Sequence, residues 1–220
     1  MFLDIFIKNG LYIPFLFIFH YLYYKNLFLS TIICLKLYPA NYFFWFNNNY
    51  KYNNVPMCLN WIKQFIRFTD SGHIINFIYY FYPNFGPIGF NIHFIITSGY
   101  WIGRLFFNMK DCDSLNDPII IKKVEYFFCY CNHSISLLLF LYEIYKKENI
   151  FMFNMKSLYY SYVWGYGWFI FIYMPWRKIT NDYVYDILHP NVSLKTKCMF
   201  ILLLTFFIYI SNIIGYYLIN

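Results

Sequence analysis

Two side chains set in oily stretches could do chemistry. Thr69 sits in FIRFTDSGHIINFIYYF (65–81), and His133 in CYCNHSISLLLFLYEIYKK (129–147). A threonine hydroxyl is a poor nucleophile until a base takes its proton. Histidine is the common base near neutral pH. An alcohol and an imidazole brought together could attack a carbonyl and pass through a covalent acyl intermediate. A polar group facing lipid has no water to bind, which is costly. Such groups must therefore face the interior of a bundle or a wet cavity.

Their neighbours repeat at helical spacing. At about 100° per residue, Thr69, His73, Asn76 and Tyr80 fall within roughly 60° of one helical face. Cys129, His133, Ser136 and Glu143 share an arc of about 80° on another helix. Tyr159, Tyr162, Tyr166 and Tyr173 stack on one face of a third. Three polar stripes predict an internal pocket lined by these three helices. The helices of Thr69 and His133 both follow loops on one membrane side, Thr69 just inside its helix and His133 about 12 Å along its own from Glu125, so the two groups could meet near that side.

The elements that must hold these groups are apolar. The chain has 220 residues, 60% hydrophobic and 12% charged, with the apolar residues clustered rather than periodic. That excludes an ordinary soluble domain and predicts an all-α, polytopic membrane bundle of about six transmembrane helices. The segments run roughly over 11–35, 68–86, 87–107, 125–145, 157–175 and 198–218. They form one transmembrane domain over 1–220, in which 1–59 holds the first span and a low-complexity loop, NNNYKYNN (47–54). YPNFGP, with Pro83, Gly86 and Pro87, makes a tight turn between the second and third segments. Gly99-x-x-x-Gly103 in the third suggests a close helix contact.

The net charge of +7 does not call for nucleic acid, because the basic residues sit at segment ends. Most of the 17 Lys and Arg fall in the loops after the first, third and fifth segments and at the helix ends beside them. The positive-inside rule puts those loops in the cytosol and both termini on the opposite face. Asn191-Val-Ser193 then lies in a cytosolic loop and is expected to escape glycosylation. Six scattered cysteines give no disulfide framework. Cys129-x-Cys131-x-His133 hints at a metal, but Cys131 points about 160° away from His133 on a helix. No metal or cofactor is expected.

The residues also resemble a family, that of the androgen-induced protein and the androgen-dependent TFPI-regulating protein. FIRFTDSGHIINFIYYF is similar to its "K-F-L-T-F-x-D-L-V-x-Q-x-x-F-F" stretch, with Thr69 at the threonine and Asn76 at the glutamine. NHSISLLLFLYEI (132–144) is similar to "H-T-x-x-x-P-x-x-L-x-E", with ten steps from His133 to Glu143. ITNDYVYDILHPNVS (179–193) is similar to "x-T-G-x-W-V-Y-P-F-L", and NIIGYYL (212–218) to an LLGE-like end. The likeness covers roughly residues 60–220. Gly72 stands where the family has aspartate, Asp186 where it has proline, and Ser134 where it has threonine.

The resemblance implies a six-helix hydrolase of the endoplasmic reticulum that cleaves fatty acid esters of hydroxy fatty acids inside the membrane. Thr69 would be the nucleophile and His133 its base. The lipid ester would enter sideways from the bilayer, with oxyanion donors and substrate contacts from Asn76, Ser136, Tyr162 or Tyr166. His73, one turn from Thr69, is an alternative base. His93 has no assigned partner. The rival expectation is a non-enzymatic multi-pass carrier or scaffold, which needs a cavity but no nucleophile.

Overall fold

A computed structural model of the chain describes residues 66–106, 119–146, 152–181 and 183–219, together with Ile18, Tyr21 and Ser30. For 119–128 and 186 it describes the backbone alone. The first expected span and the 47–54 loop lie outside the described residues. Helix makes up 88% of the described residues and none is in a strand, so the all-α expectation holds.

Helix α1 spans Phe68–Phe81. Arg67 precedes it and offers no side-chain cap. The work falls to the far end of the chain, where the Tyr185 hydroxyl accepts the Phe68 N–H at 2.8 Å. The Trp168 indole donates to the Ile66 carbonyl at 2.8 Å, fixing the entry angle. Asp70 in the first turn suits the positive end of the helix dipole. The turn expected at YPNFGP follows as a 3₁₀ turn, Pro83–Phe85.

Helix α2, Gly86–Phe106, returns antiparallel to α1 and becomes the centre of the fold. It packs against α1, against α3 (Ile119–Lys146), against α4 (Met155–Gly167) and against α6 (Leu194–Ile219). Ile92, Asn91 and His93 are fully buried on it. Gly89 leaves room for the Phe140 ring of α3, and Gly215 does the same for Phe153. Gly99 is not at a close contact: a Cβ there would meet nothing within 4 Å.

Asn154 caps α4 with its side chain on the N–H groups of Lys156 and Ser157, in a reciprocal capping box. The helix then widens into a π turn at Trp168–Tyr173 and continues as α5, Met174–Thr180. Pro175 explains the widening. It has no N–H for the preceding turn and its ring crowds the carbonyl four residues back, which a π turn relieves. Asn181 ends α5 at φ 54°, a left-handed conformation that asparagine tolerates. A 3₁₀ turn, Asp186–Leu188, leads to α6.

A polar seam binds α2, α4 and α6. Asn91 Nδ2 donates to Ser161 at 3.0 Å and to Asn212 at 3.1 Å, and its Oδ1 accepts from Ser211 at 2.9 Å. Ser157 donates to Asn212 at 2.9 Å. Hydrogen-bonded glue of this kind suits helices that gain little from burying apolar surface in lipid.

Among the described residues α6 is the one helix that is long and apolar enough to cross a membrane by itself. The five spans expected within these residues reduce, by that standard, to one. The reasons are local. With 14 residues, α1 reaches about 21 Å, short of the roughly 30 Å hydrocarbon core. Asn91 and His93 interrupt α2, Asn132 and His133 interrupt α3, and the π turn divides the fifth expected span. Large apolar side chains nonetheless face outward: Phe171 is 77% exposed on the π turn, Leu202 68% on α6, and Phe77 53% on α1.

Candidate functional site

The polar stripe of α1 is buried. Thr69, His73 and Asn76 all face the bundle, but Tyr80, expected with them, is 36% exposed and turns away. Asn76 Nδ2 donates to Ser136 Oγ of α3 at 3.0 Å. The Asn76 Oδ1 is buried and has no hydrogen-bond partner among the described residues. The His73 ring meets the His93 ring of α2 edge-on at 5.6 Å. Gly72 makes that approach possible, because a Cβ there would lie 2.6 Å from Ile96 Cδ1 and 3.0 Å from His93 Cε1.

His133 is held on three sides. Its Nδ1 lies 2.7 Å from the Cys129 carbonyl one turn back. A carbonyl only accepts, so Nδ1 carries the proton and Nε2 is the basic nitrogen of the neutral ring. The Tyr100 ring of α2 stacks on the imidazole, with centroids 4.1 Å apart and planes 12° apart. The Thr97 hydroxyl donates to the His133 carbonyl, and Trp101 donates to Ser134 at 3.0 Å, closing α2 against α3.

Thr69 sits in the first turn of α1, next to Phe68, whose N–H is held by the Tyr185 hydroxyl. Its own hydroxyl makes no hydrogen bond among the described residues. Burial pushes the Tyr185 phenol up to about 12, with the Phe68 N–H opposing the rise. That phenol therefore keeps its proton across the physiological range.

The register relates the two groups picked from sequence. Helices α1 and α3 run parallel, since Asn76 meets Ser136 and Tyr79 reaches toward Glu143 at 3.5 Å. Stepping back seven residues along each, about 10.5 Å, sets Thr69 level with Cys129. His133 is one turn nearer the Asn76–Ser136 contact, an axial offset of about 6 Å from Thr69. Both belong to the same end of the α1–α2–α3 group, and no hydrogen bond joins them.

The tyrosines do not complete the pocket expected from sequence. The Tyr162 hydroxyl donates to the Thr205 carbonyl at 3.3 Å, and the Tyr166 hydroxyl lies 2.7 Å from Thr205 Oγ1. Both turn to α6, away from Asn76 and Ser136. The stripe itself also divides: Tyr159 is 63% exposed, whereas Tyr173 is 2% exposed. A π turn adds a residue per turn and rotates Tyr173 off the face. Cys129 Sγ lies 3.7 Å from His133 Nδ1, but among the described residues no three His, Cys, Asp or Glu gather to hold a metal ion.

Two contributors escaped the sequence reading, Tyr100 and Tyr185, and a third, His93, was noted there with no assigned partner. The signal for His93 was present, in a histidine two residues from an asparagine at the centre of an apolar span. Nothing in the sequence marks which of 26 tyrosines stacks on His133 or caps α1. Comparison with family models, curated proteins and solved structures finds no match to the chain.

Proposed function

We propose that the chain is a multi-pass membrane hydrolase of lipid esters, with Thr69 as nucleophile and His133 as base. The observation that carries this reading is the clamped imidazole. Its tautomer is set by the Cys129 carbonyl, its plane is set by Tyr100, and it shares one end of the bundle with the Thr69 hydroxyl.

The chemistry runs as follows. Nε2 of His133 takes the Thr69 proton, and the alkoxide attacks the ester carbonyl. The alcohol leaves with that proton, and an acyl-threonine remains. Water, deprotonated by the same nitrogen, releases the acid and restores the hydroxyl. Catalytic hydrogen bonds often tighten only when substrate is bound, and the offset of about 6 Å requires that here. Asn76 Nδ2 is bonded to Ser136 and stands about 10.5 Å along α1 from Thr69, too far to hold an oxyanion formed there. Fatty acid esters of hydroxy fatty acids are the substrate class, from the family resemblance. The membrane setting is supported by α6 and by the outward apolar side chains, and the endoplasmic reticulum by the resemblance.

A carrier without turnover is the second reading. It is favoured by an open apolar groove of about 970 Å³ between α1 and α4. The two separate on ester hydrolysis by the purified chain. An enzyme releases fatty acid from the ester, and Thr69→Ala and His133→Ala each lower the rate at least a hundredfold. Full-length folded protein with no turnover leaves the carrier.

A further inference from the structure

The end of α5 and the start of α6 form a basic corner. Arg177 and Lys178 lie exposed in the last turn of α5, and Lys195 and Lys197 lie in the first turn of α6. The loop between them ties the two helix ends together. The Arg177 guanidinium lies over the Tyr183 ring, 4.7 Å from its centroid, and donates to the Tyr183 hydroxyl at 3.1 Å. The Tyr183 ring in turn meets the His189 ring at 5.0 Å. His189 Nδ1 accepts the Asn191 N–H at 3.4 Å, just before α6. Leu188, packed with Trp168 and Tyr173, anchors the loop to the bundle. From Arg177 to Lys197 the sequence sets four Lys and Arg against two carboxylates, Asp182 and Asp186.

The length of α6 sets the depth of this corner. Its 26 residues reach about 39 Å, against a hydrocarbon core of about 30 Å. The excess of about 9 Å, roughly six residues, has to lie outside that core. Lys195 and Lys197 are the only charged residues of α6, so the excess falls at its first turns. These lysines therefore stand at headgroup depth. Two large apolar side chains flank the cations: Ile179 and Leu194 are each 75% exposed. Bare apolar side chains beside a basic cluster suit a membrane interface better than an aqueous partner.

We propose that this corner binds the headgroup of an anionic phospholipid. The four cations supply the attraction, which adds across a cluster near a charged leaflet. Tyr183 uses one donor of the Arg177 guanidinium and holds it in place, leaving its other N–H groups for phosphate oxygens. Ile179 and Leu194 enter the acyl boundary beside the headgroup. A zwitterionic lipid offers the same phosphate but no net charge for the cluster to meet. This docking requires α6 to cross a membrane and is independent of ester hydrolysis.

The test places the full chain in nanodiscs of equal phosphatidylserine and phosphatidylcholine and reads the retained lipids by native mass spectrometry. Retained phosphatidylserine should exceed phosphatidylcholine at least roughly fivefold, about the worth of one cation at a charged surface. Arg177→Gln with Lys178→Gln, and Lys195→Gln with Lys197→Gln, should each lower that ratio at least about twofold, and all four together should bring it near unity. Lys146→Gln with Lys156→Gln, outside the corner, should leave it unchanged. A ratio near unity in the wild type, or one that survives the four substitutions, overturns the site. A ratio lowered equally by the Lys146 and Lys156 pair reduces it to net charge alone and overturns it too. A chain that stays out of the discs overturns the membrane span of α6 and this docking with it.

Discussion

Asn76 and Ser136, 60 residues apart in the chain, meet at 3.0 Å in the buried interface of α1 and α3. This contact fixes the register that brings Thr69 and His133 to one end of the bundle. It also leaves Asn76 Oδ1 without a partner among the described residues. Ser136→Ala should therefore cost about 1 kcal/mol in unfolding free energy, the usual size of an interhelical hydrogen bond in membranes. Asn76→Leu with Ser136→Ala should recover most of that loss, since no buried polar atom then lacks a partner. Thermal unfolding in detergent measures both, and a double variant weaker than either single one contradicts the assignment.

Gly72 tests the close approach of α1 to α2. Gly72→Ala should destabilise by about 1–3 kcal/mol, as overpacking does. The nearest atom to the added Cβ is Ile96 Cδ1 at 2.6 Å. Ile96→Val deletes that atom, so Gly72→Ala with Ile96→Val should be more stable than Gly72→Ala alone. A double variant whose losses simply add would show that the two helices do not meet here.

Tyr185 holds the start of α1, next to Thr69. Its phenol is raised from 10.0 to about 12 by burial, so the folded state holds the proton more tightly than the unfolded chain. Its contribution is complete below pH 10 and is lost as pH rises through about 12. Over that window the wild type should lose about 2 kcal/mol more than Tyr185→Phe. Parallel alkaline unfolding curves for the two proteins would remove Tyr185 from this role.

Asn191 reports the topology. It lies exposed in the turn before α6, on the side that the Lys and Arg distribution assigns to the cytosol. Synthesis with microsomes should give a product with no glycan on Asn191, the same mass as Asn191→Gln. A shift removed by that substitution would turn the bundle over.

Much of this was legible because it is local. Pro83, Gly86 and Pro87 mark the turn, and α2 begins within one residue of its expected start. The buried face of Thr69, His73 and Asn76 follows from helical periodicity and burial in common. The fifth segment misled for a physical reason: periodicity says which tyrosines share a face, not which helix that face meets. Tyr162 and Tyr166 share a face, and it meets Thr205. A π turn changes the period itself, so Tyr173 could not be placed by counting. The central position of α2 was hidden because hydropathy describes a helix against lipid, whereas α2 is set among helices. Asn91 and His93, which lower its hydropathy, are the residues that tie it to its neighbours.

The central claim is that the Thr69 hydroxyl becomes a nucleophile under the His133 imidazole. Labelling of the full chain in membranes with a fluorophosphonate, followed by peptide mass analysis, tests it most directly. The adduct should sit on Thr69, and His133→Ala should abolish it in protein that still folds. An adduct on another residue, labelling of Thr69 that survives His133→Ala, or no adduct on intact protein contradicts the claim.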